Sequence, residues 1–150
     1  MNTDDLMEFT VAKFFLDTNV LVYSFDQSVP AKQQLATHLI ETALQNEQGT
    51  ISSQVIQEFL SLAGRKFASP LNLRAQRLYL STVLRPLCHH YPSEGFYERA
   101  LDTADLTGFS LYDSLIVTAA IDCNCAYLFS EDMQHGRSIQ GLTILNPFTA

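Results

Sequence analysis

Nowhere in this sequence does an apolar run approach the roughly 18 residues that a membrane-spanning helix requires, which argues against insertion into a bilayer. The first ten residues hold Asp4, Asp5 and Glu8 and no basic residue, the reverse of a secretory leader, so export is not expected. Cysteine is scarce. Cys88, Cys123 and Cys125 are an odd number at no disulfide-framework spacing, and they read as buried thiols of a reducing compartment, so the cytoplasm is the expected location. No glycine-rich loop ends in the lysine that would cradle a phosphate, and no Gly-x-Ser-x-Gly elbow presents a nucleophilic serine. Cys88, His89, His90, Cys123 and Cys125 have the chemistry to hold zinc, but their spacing matches no common zinc pattern. His38 and His135 read as surface or supporting groups rather than as bases.

Positive charge is scarce as well. The net charge of -7 at first sight opposes a nucleic-acid partner, because phosphate binding depends on Lys and Arg. The average conceals a segregation. Residues 1–58 carry eight acids against Lys13 and Lys32, and residues 94–150 carry eight acids against Arg99 and Arg137. Between them, residues 59–93 hold Arg65, Lys66, Arg74, Arg77 and Arg85 and no acid. A charge block of this kind is commonly a solvated helix face. The sharper reading is a basic surface, with Arg65, Lys66, Arg74 and Arg77 meeting an acidic polymer or an acidic partner.

What is present is a hydrophobic share of 47%, enough for a core in a chain of 150 residues. Short apolar runs alternate with longer stretches of helical periodicity, the signature of βα units and a parallel sheet. Strands are predicted over residues 13–16, 50–53, 86–91, 126–130 and 143–145, and helices over residues 30–46, 54–66, 72–84, 94–106 and 111–123. Pro30 opens a helix, Pro70 separates two, and Gly108 closes one before Ser110 begins the next. No linker or repeat interrupts the pattern. The expectation is one α/β domain over residues 1–150, with a parallel five-stranded sheet sandwiched between helices.

Four acids stand at strand ends and helix starts of that sheet. Asp17 ends the run Phe14, Phe15, Leu16, at the carboxyl edge where open α/β sheets bind ligands; its plainer reading is a turn residue capping backbone groups. Glu58 lies on the helix after the second strand, among Val55, Ile56, Phe59, Leu60 and Leu62, where an ordinary helix Glu would simply be exposed. Asp113 follows Ser110 by three residues, so a capping box competes with a functional role, but it starts the most apolar helix of the chain. Asp132 follows residues 126–130 as Asp17 follows the first strand; an acid in the first turn of a short helix is its rival reading. Each signal is weak alone, and their joint occurrence is the argument. Clustered carboxylates raise one another's pKa and are tolerated mainly when a cation neutralises them, and all-oxygen ligands suit Mg²⁺ or Mn²⁺.

In their order these motifs resemble the PIN domain, especially the VapC-like toxins of prokaryotic toxin-antitoxin pairs. Residues 15–23 are similar to the first motif, whose Asp is Asp17; Ser53 through Phe59 to the second, with Glu58; residues 111–120 to the third, with Asp113. Residues 128–136 resemble the fourth, with Asp132 at the acidic position and Glu131 beside it as the alternative ligand. The resemblance implies a parallel sheet between helical layers and a ribonuclease that depends on Mg²⁺ or Mn²⁺. It also implies a homodimer and silencing by a small antitoxin that reaches into the groove. Asn19 and Ser53 would then orient ligands or the attacking water. Residues 1–12 form an N-terminal extension to which no role is assigned.

Two rivals come from other classes. A haloacid-dehalogenase-like phosphatase also starts with an Asp after an apolar strand, but needs a second Asp two positions on, where Asn19 stands, and a later Lys, and none follows Lys66. A non-catalytic PIN-like RNA-binding module would have no need of all four acids.

Overall fold

A computed structural model describes residues 1–149. At its centre is β1 (Phe14–Leu16), whose three side chains are all inaccessible to solvent. That burial on both faces is why its sequence reads as a continuous apolar run rather than an alternation. On one side β1 pairs in parallel with β2 (Gly49–Ser52), which pairs with β3 (Cys88–His90). On the other it pairs in parallel with β4 (Tyr127–Phe129), which pairs with β6 (Leu142–Leu145).

The sheet has six strands, in the order β3-β2-β1-β4-β6-β5, rather than the five expected. The additional one is β5 (Ser138–Ile139), antiparallel to β6. Two residues are too few to show any periodicity, and the strand exists because Gln140 and Gly141, at φ 50° and 86°, fold a tight hairpin back onto β6.

Helices flank this sheet. Helix α3 (Pro30–Asn46) occupies the span expected for it, opened by Pro30 in its first turn and burying Ala36, Leu39, Ile40 and Ala43 along one stripe. Helix α4 (Ser53–Ala63) buries Val55, Phe59 and Ala63. Helices α7 (Phe96–Thr107) and α8 (Leu111–Asp122) pack against each other, and the Thr118 hydroxyl donates to Thr103 Oγ1 at 2.9 Å between them. Every residue from Ser114 to Ala120 is buried, so α8 is apolar around most of its circumference. No helix of the described residues is long and apolar enough to cross a membrane.

Three local features depart from the sequence expectation. Residues 18–23, which fall outside every predicted strand and helix, form a short helix, α2 (Thr18–Tyr23). The single helix expected over residues 72–84 is instead α5 (Leu73–Tyr79) running into a π-helical turn over Leu80–Leu84 and a final turn, α6 (Arg85–Leu87). The strand expected from residue 86 accordingly starts only at Cys88. The causes are local: Pro86 has no N–H to donate, and the hydroxyls of Ser81 and Thr82 both bond to the Leu78 carbonyl, at 3.0 and 2.7 Å, in competition with the backbone ladder. Finally, the extension contains α1 (Thr3–Thr10), started by a reciprocal capping box between Asn2 and Asp5. Leu6 is fully buried, Phe9 meets Tyr127 edge-on at 5.0 Å, and Asn46 Nδ2 donates to the Thr10 carbonyl at 2.9 Å.

Gly49 shows how closely α3 is laid against the sheet. A Cβ at that position would collide with Ala43 and stand 2.9 Å from Phe14 Cε2. Gly49→Ala is therefore expected to destabilise the fold by about 1–3 kcal/mol through overpacking. The check is a lowered urea midpoint at unchanged m-value; an unaltered midpoint would mean that α3 yields freely against β2.

Candidate active site

The strand order reverses direction between β1 and β4, and the crevice beyond the carboxyl ends of strands at such a switch point is where α/β sheets place ligands. Asp17 follows β1 there, and Asp132 follows β4. Asp17 is the N-cap of α2: Oδ1 accepts from the Thr18 amide at 2.7 Å, while Oδ2 accepts from the Ser130 hydroxyl at 2.7 Å. It is only 7% exposed. Burial pushes its carboxyl up from 3.8 to about 6, against the pull of those two hydrogen bonds and with added repulsion from Glu58 and Asp113.

Glu58 comes to the same place because α4 packs on α2. Thr18 Oγ1 donates to its Oε2 at 2.9 Å, and Gln54 Nε2, one turn earlier on α4, donates to its Oε1 at 2.6 Å. Asp113, in the first turn of α8, has its carboxyl raised by partial burial, with the Ser110 hydroxyl opposing and the charges of Asp132 and Glu58 adding. Ser110 caps α8 by accepting from the Asp113 backbone amide at 3.2 Å, a bond that does not use the Asp113 carboxylate. Asp132 is exposed and accepts from Asn19 Nδ2 at 3.3 Å. Asn19 Oδ1 also accepts from the Glu131 amide at 3.3 Å, so this one side chain ties α2 to the segment after β4.

Glu131 and Asp132, adjacent in sequence, differ in their partners. Burial works against the charge on Glu131, but Lys32 Nζ at 2.6 Å and Tyr23 Oη at 2.5 Å hold its carboxyl below the usual range. Asp132 has no cation within salt-bridge distance among the described residues.

Asp17, Glu58, Asp113 and Asp132 thus line one cleft of about 480 Å³, together with Asp26, Glu131, Asn19 and Thr18. No Lys or Arg lines it. Among the described residues no three acids already converge at metal-ligand distance. The donor set nevertheless fits a hard divalent cation: it is all oxygen, it is anionic, and burial disfavours the charged form of its most buried member, with repulsion from Glu58 and Asp113 adding to it.

Ser53 lines a neighbouring cavity instead of this cleft. Arg65, Lys66, Arg74 and Arg77 are exposed, none lines the cleft, and none is ion-paired among the described residues. Sequence reasoning missed Thr18, Gln54 and Ser130, the groups that hold Asp17 and Glu58. Each had a signal: Thr18 and Ser130 fall inside the motif stretches, and Gln54 stands four residues before Glu58, one helical turn away.

Fold and cleft together define a parallel α/β domain with a carboxylate-lined site at its topological switch point. The PIN domain family model matches residues 14–137, and the chain belongs to that family. Helix α1 precedes the matched region. No curated protein matches the sequence. Among solved structures, a toxin-antitoxin complex from Klebsiella pneumoniae is similar with a TM-score of 0.65 at 19% identity, over 93% of this chain and 100% of that one. The crystal structure of VapBC2 from Rickettsia felis bound to a DNA fragment from their promoter gives a TM-score of 0.56 at 18% identity, over 87% of this chain and 96% of that one. At such identities the likeness is one of fold.

Proposed function

We propose that this protein is a metal-dependent ribonuclease that hydrolyses RNA phosphodiester bonds, acting as the toxin of a toxin-antitoxin pair in the cytoplasm. The observation that carries the reading is the convergence of Asp17, Glu58, Asp113 and Asp132 on a cleft that no basic side chain lines. Its membership of the PIN domain family and the fold it shares with two toxin-antitoxin complexes support it.

In this reading the four carboxylates hold Mg²⁺ or Mn²⁺, with Glu131 withdrawn from that set by Lys32. When bound, such an ion acts as a Lewis acid at the phosphodiester and lowers the pKa of water. The chain's own residues do the positioning. Thr18 and Gln54 fix both oxygens of Glu58, leaving it placed to accept a proton from the attacking water. Ser130 and the Thr18 amide fix Asp17, and Asn19 aligns the segment that bears Asp132. The basic residues Arg65, Lys66, Arg74 and Arg77 meet the phosphates of the strand away from the cleft. A homodimer and a small antitoxin that brings a basic side chain into the cleft complete the proposal.

Cleavage of a labelled structured RNA, with Mg²⁺ or Mn²⁺ and with chelator as control, is the test. Water attacking phosphorus expels the 3′ oxygen, so products should carry 5′-phosphate and 3′-hydroxyl ends and form only with metal. Cyclic 2′,3′-phosphate ends formed in chelator would point to attack by the RNA's own 2′-hydroxyl and overturn the mechanism. RNA binding without cleavage under every metal would make the protein a binding module.

A further inference from the structure

Beside the acid cleft lies a second cavity, of about 590 Å³, between the start of α4, the end of β3 and the first turns of α7 and α8. Gln54 and Tyr112 line both, so they form the partition between them, joined by a bond from Gln54 Nε2 to the Tyr112 carbonyl at 3.3 Å. The two chambers differ in chemistry. Six acids line the first; no charged Asp, Glu, Lys or Arg lines the second. Instead it presents three tyrosines far out in solvent, Tyr91 at 61%, Tyr97 at 57% and Tyr112 at 69% exposed. At its base Phe96 is 3% exposed and His90, 4.7 Å from the Phe96 ring centre, is anchored by Asp122 Oδ2 at 3.0 Å.

Among the residues that line the second cavity is one with an unanswered polar group. Ser52 is 2% exposed, and its Oγ has no hydrogen-bond partner among the described residues. A buried hydroxyl without a partner costs about 1–3 kcal/mol, so a ligand atom that bonds to it regains free energy. The group that suits this chamber is flat, uncharged and rich in donors and acceptors at its edge. A nucleobase has those properties; a phosphate or a cation does not. Aromatic side chains beside a backbone-tracking site are the means by which proteins hold unpaired bases.

We propose that this cavity is a base-binding subsite, in which an unpaired nucleobase next to the scissile phosphate packs against both Tyr91 and Tyr97 and bonds to Ser52 Oγ. The proposal rests on the ribonuclease reading and gives it a source of sequence preference. A second copy of the chain seated on the same tyrosines is the rival occupant.

The test is fluorescence anisotropy with a single-stranded oligoribonucleotide and the same strand made entirely of abasic residues, in chelator and again with Ca²⁺. Wild type should bind the base-bearing strand more tightly than the abasic one. Tyr91→Ala and Tyr97→Ala should each weaken the base-bearing strand about tenfold and leave the abasic strand unchanged, while Tyr97→Phe should keep wild-type affinity. Ser52→Ala should alter the ranking of the four homopolymers. Equal affinity of wild type for the two strands, or an equal loss on both, would overturn the subsite. So would an unchanged affinity in Tyr97→Ala combined with a shift toward monomer in sedimentation, which would assign the face to a second copy. The ratio of base-bearing to abasic binding requires no cleavage, so it stands apart from failure of the ribonuclease reading, which absent cleavage under all metals would reveal.

Discussion

Asp113→Asn should lower the rate of RNA cleavage by more than about 100-fold while leaving the protein folded. Outer partners of metal ligands already cost about 10–100-fold when removed, and a direct ligand should cost more. The fold should survive because the cap of α8 runs from the Asp113 backbone amide to Ser110 Oγ and does not involve the carboxylate. Ser110→Ala supplies the contrast: it removes the cap, at about 1 kcal/mol of stability, and, because the Ser110 hydroxyl also acts on the Asp113 carboxyl, should cost some activity but less than Asp113→Asn. Asp17→Asn should be equally inactive, since Asn preserves an N-cap for α2 while removing the charge. Glu58→Gln should come close, and Asp132→Asn, altering the exposed member of the set, should retain a residue of activity. Rates are to be compared alongside circular dichroism of each variant. Wild-type cleavage by a folded Asp113→Asn protein would remove the carboxylate assignment.

Without metal, stability should fall as pH rises from about 4 through about 6, and Asp17 sets that window. Its carboxyl titrates at 3.8 when unfolded and at about 6 in the fold. Between those values the folded state holds more protons than the unfolded one, so raising the pH favours unfolding. The full cost, about 3 kcal/mol, is in place above the folded value and corresponds to a fall of roughly 6–12 °C in Tm. The raised carboxyl of Asp113 acts in the same direction, and the depressed one of Glu131 in the opposite direction. Asp17→Asn isolates the effect: its difference from wild type should grow in its favour as the pH passes about 6, in chelator. At neutral pH Mn²⁺ or Mg²⁺ should restore about 2.7 kcal/mol at a hundredfold excess over its dissociation constant, and this gain should shrink below about pH 6 as protons compete for Asp17. Asp113→Asn should lose most of the metal response. A metal-free stability that is flat across this range, with no metal response at any pH, would sink the reading of Asp17 as a strained ligand.

Asp17, Asp113 and Asp132 were readable because strand ends and helix starts are local signals, whereas Glu58, in the middle of α4, stood out only through the resemblance of its motif. The alternation of short buried strands with amphipathic helices revealed the class of fold for the same reason, and α3 came out with its full span because Pro30 and the Leu39, Ile40 stripe are written into one segment. Even α1 carried a capping signature in Asn2 and Asp5.

What lay beyond the sequence depends on contacts between distant residues. Helix α2 is capped by Asp17, whose other oxygen is held by Ser130, 113 positions away. Thr18 meets Glu58 only because α2 packs on α4, and Lys32 separates Glu131 from Asp132 only because α3 passes that edge of the sheet. The two-residue strand β5 exists by pairing with β6, and the π turn before Pro86 by competition among bonds that propensity does not rank. By itself, then, the sequence determined which residues carry charge, which segments are apolar and in what order the elements run, since these follow from covalent order and local periodicity. Only the tertiary structure decided which acid is neutralised by a lysine, which is strained by burial, and which hydroxyl is left unpaired beside the cleft, because desolvation and hydrogen bonding are properties of a side chain's surroundings and arise only once the chain has closed around it.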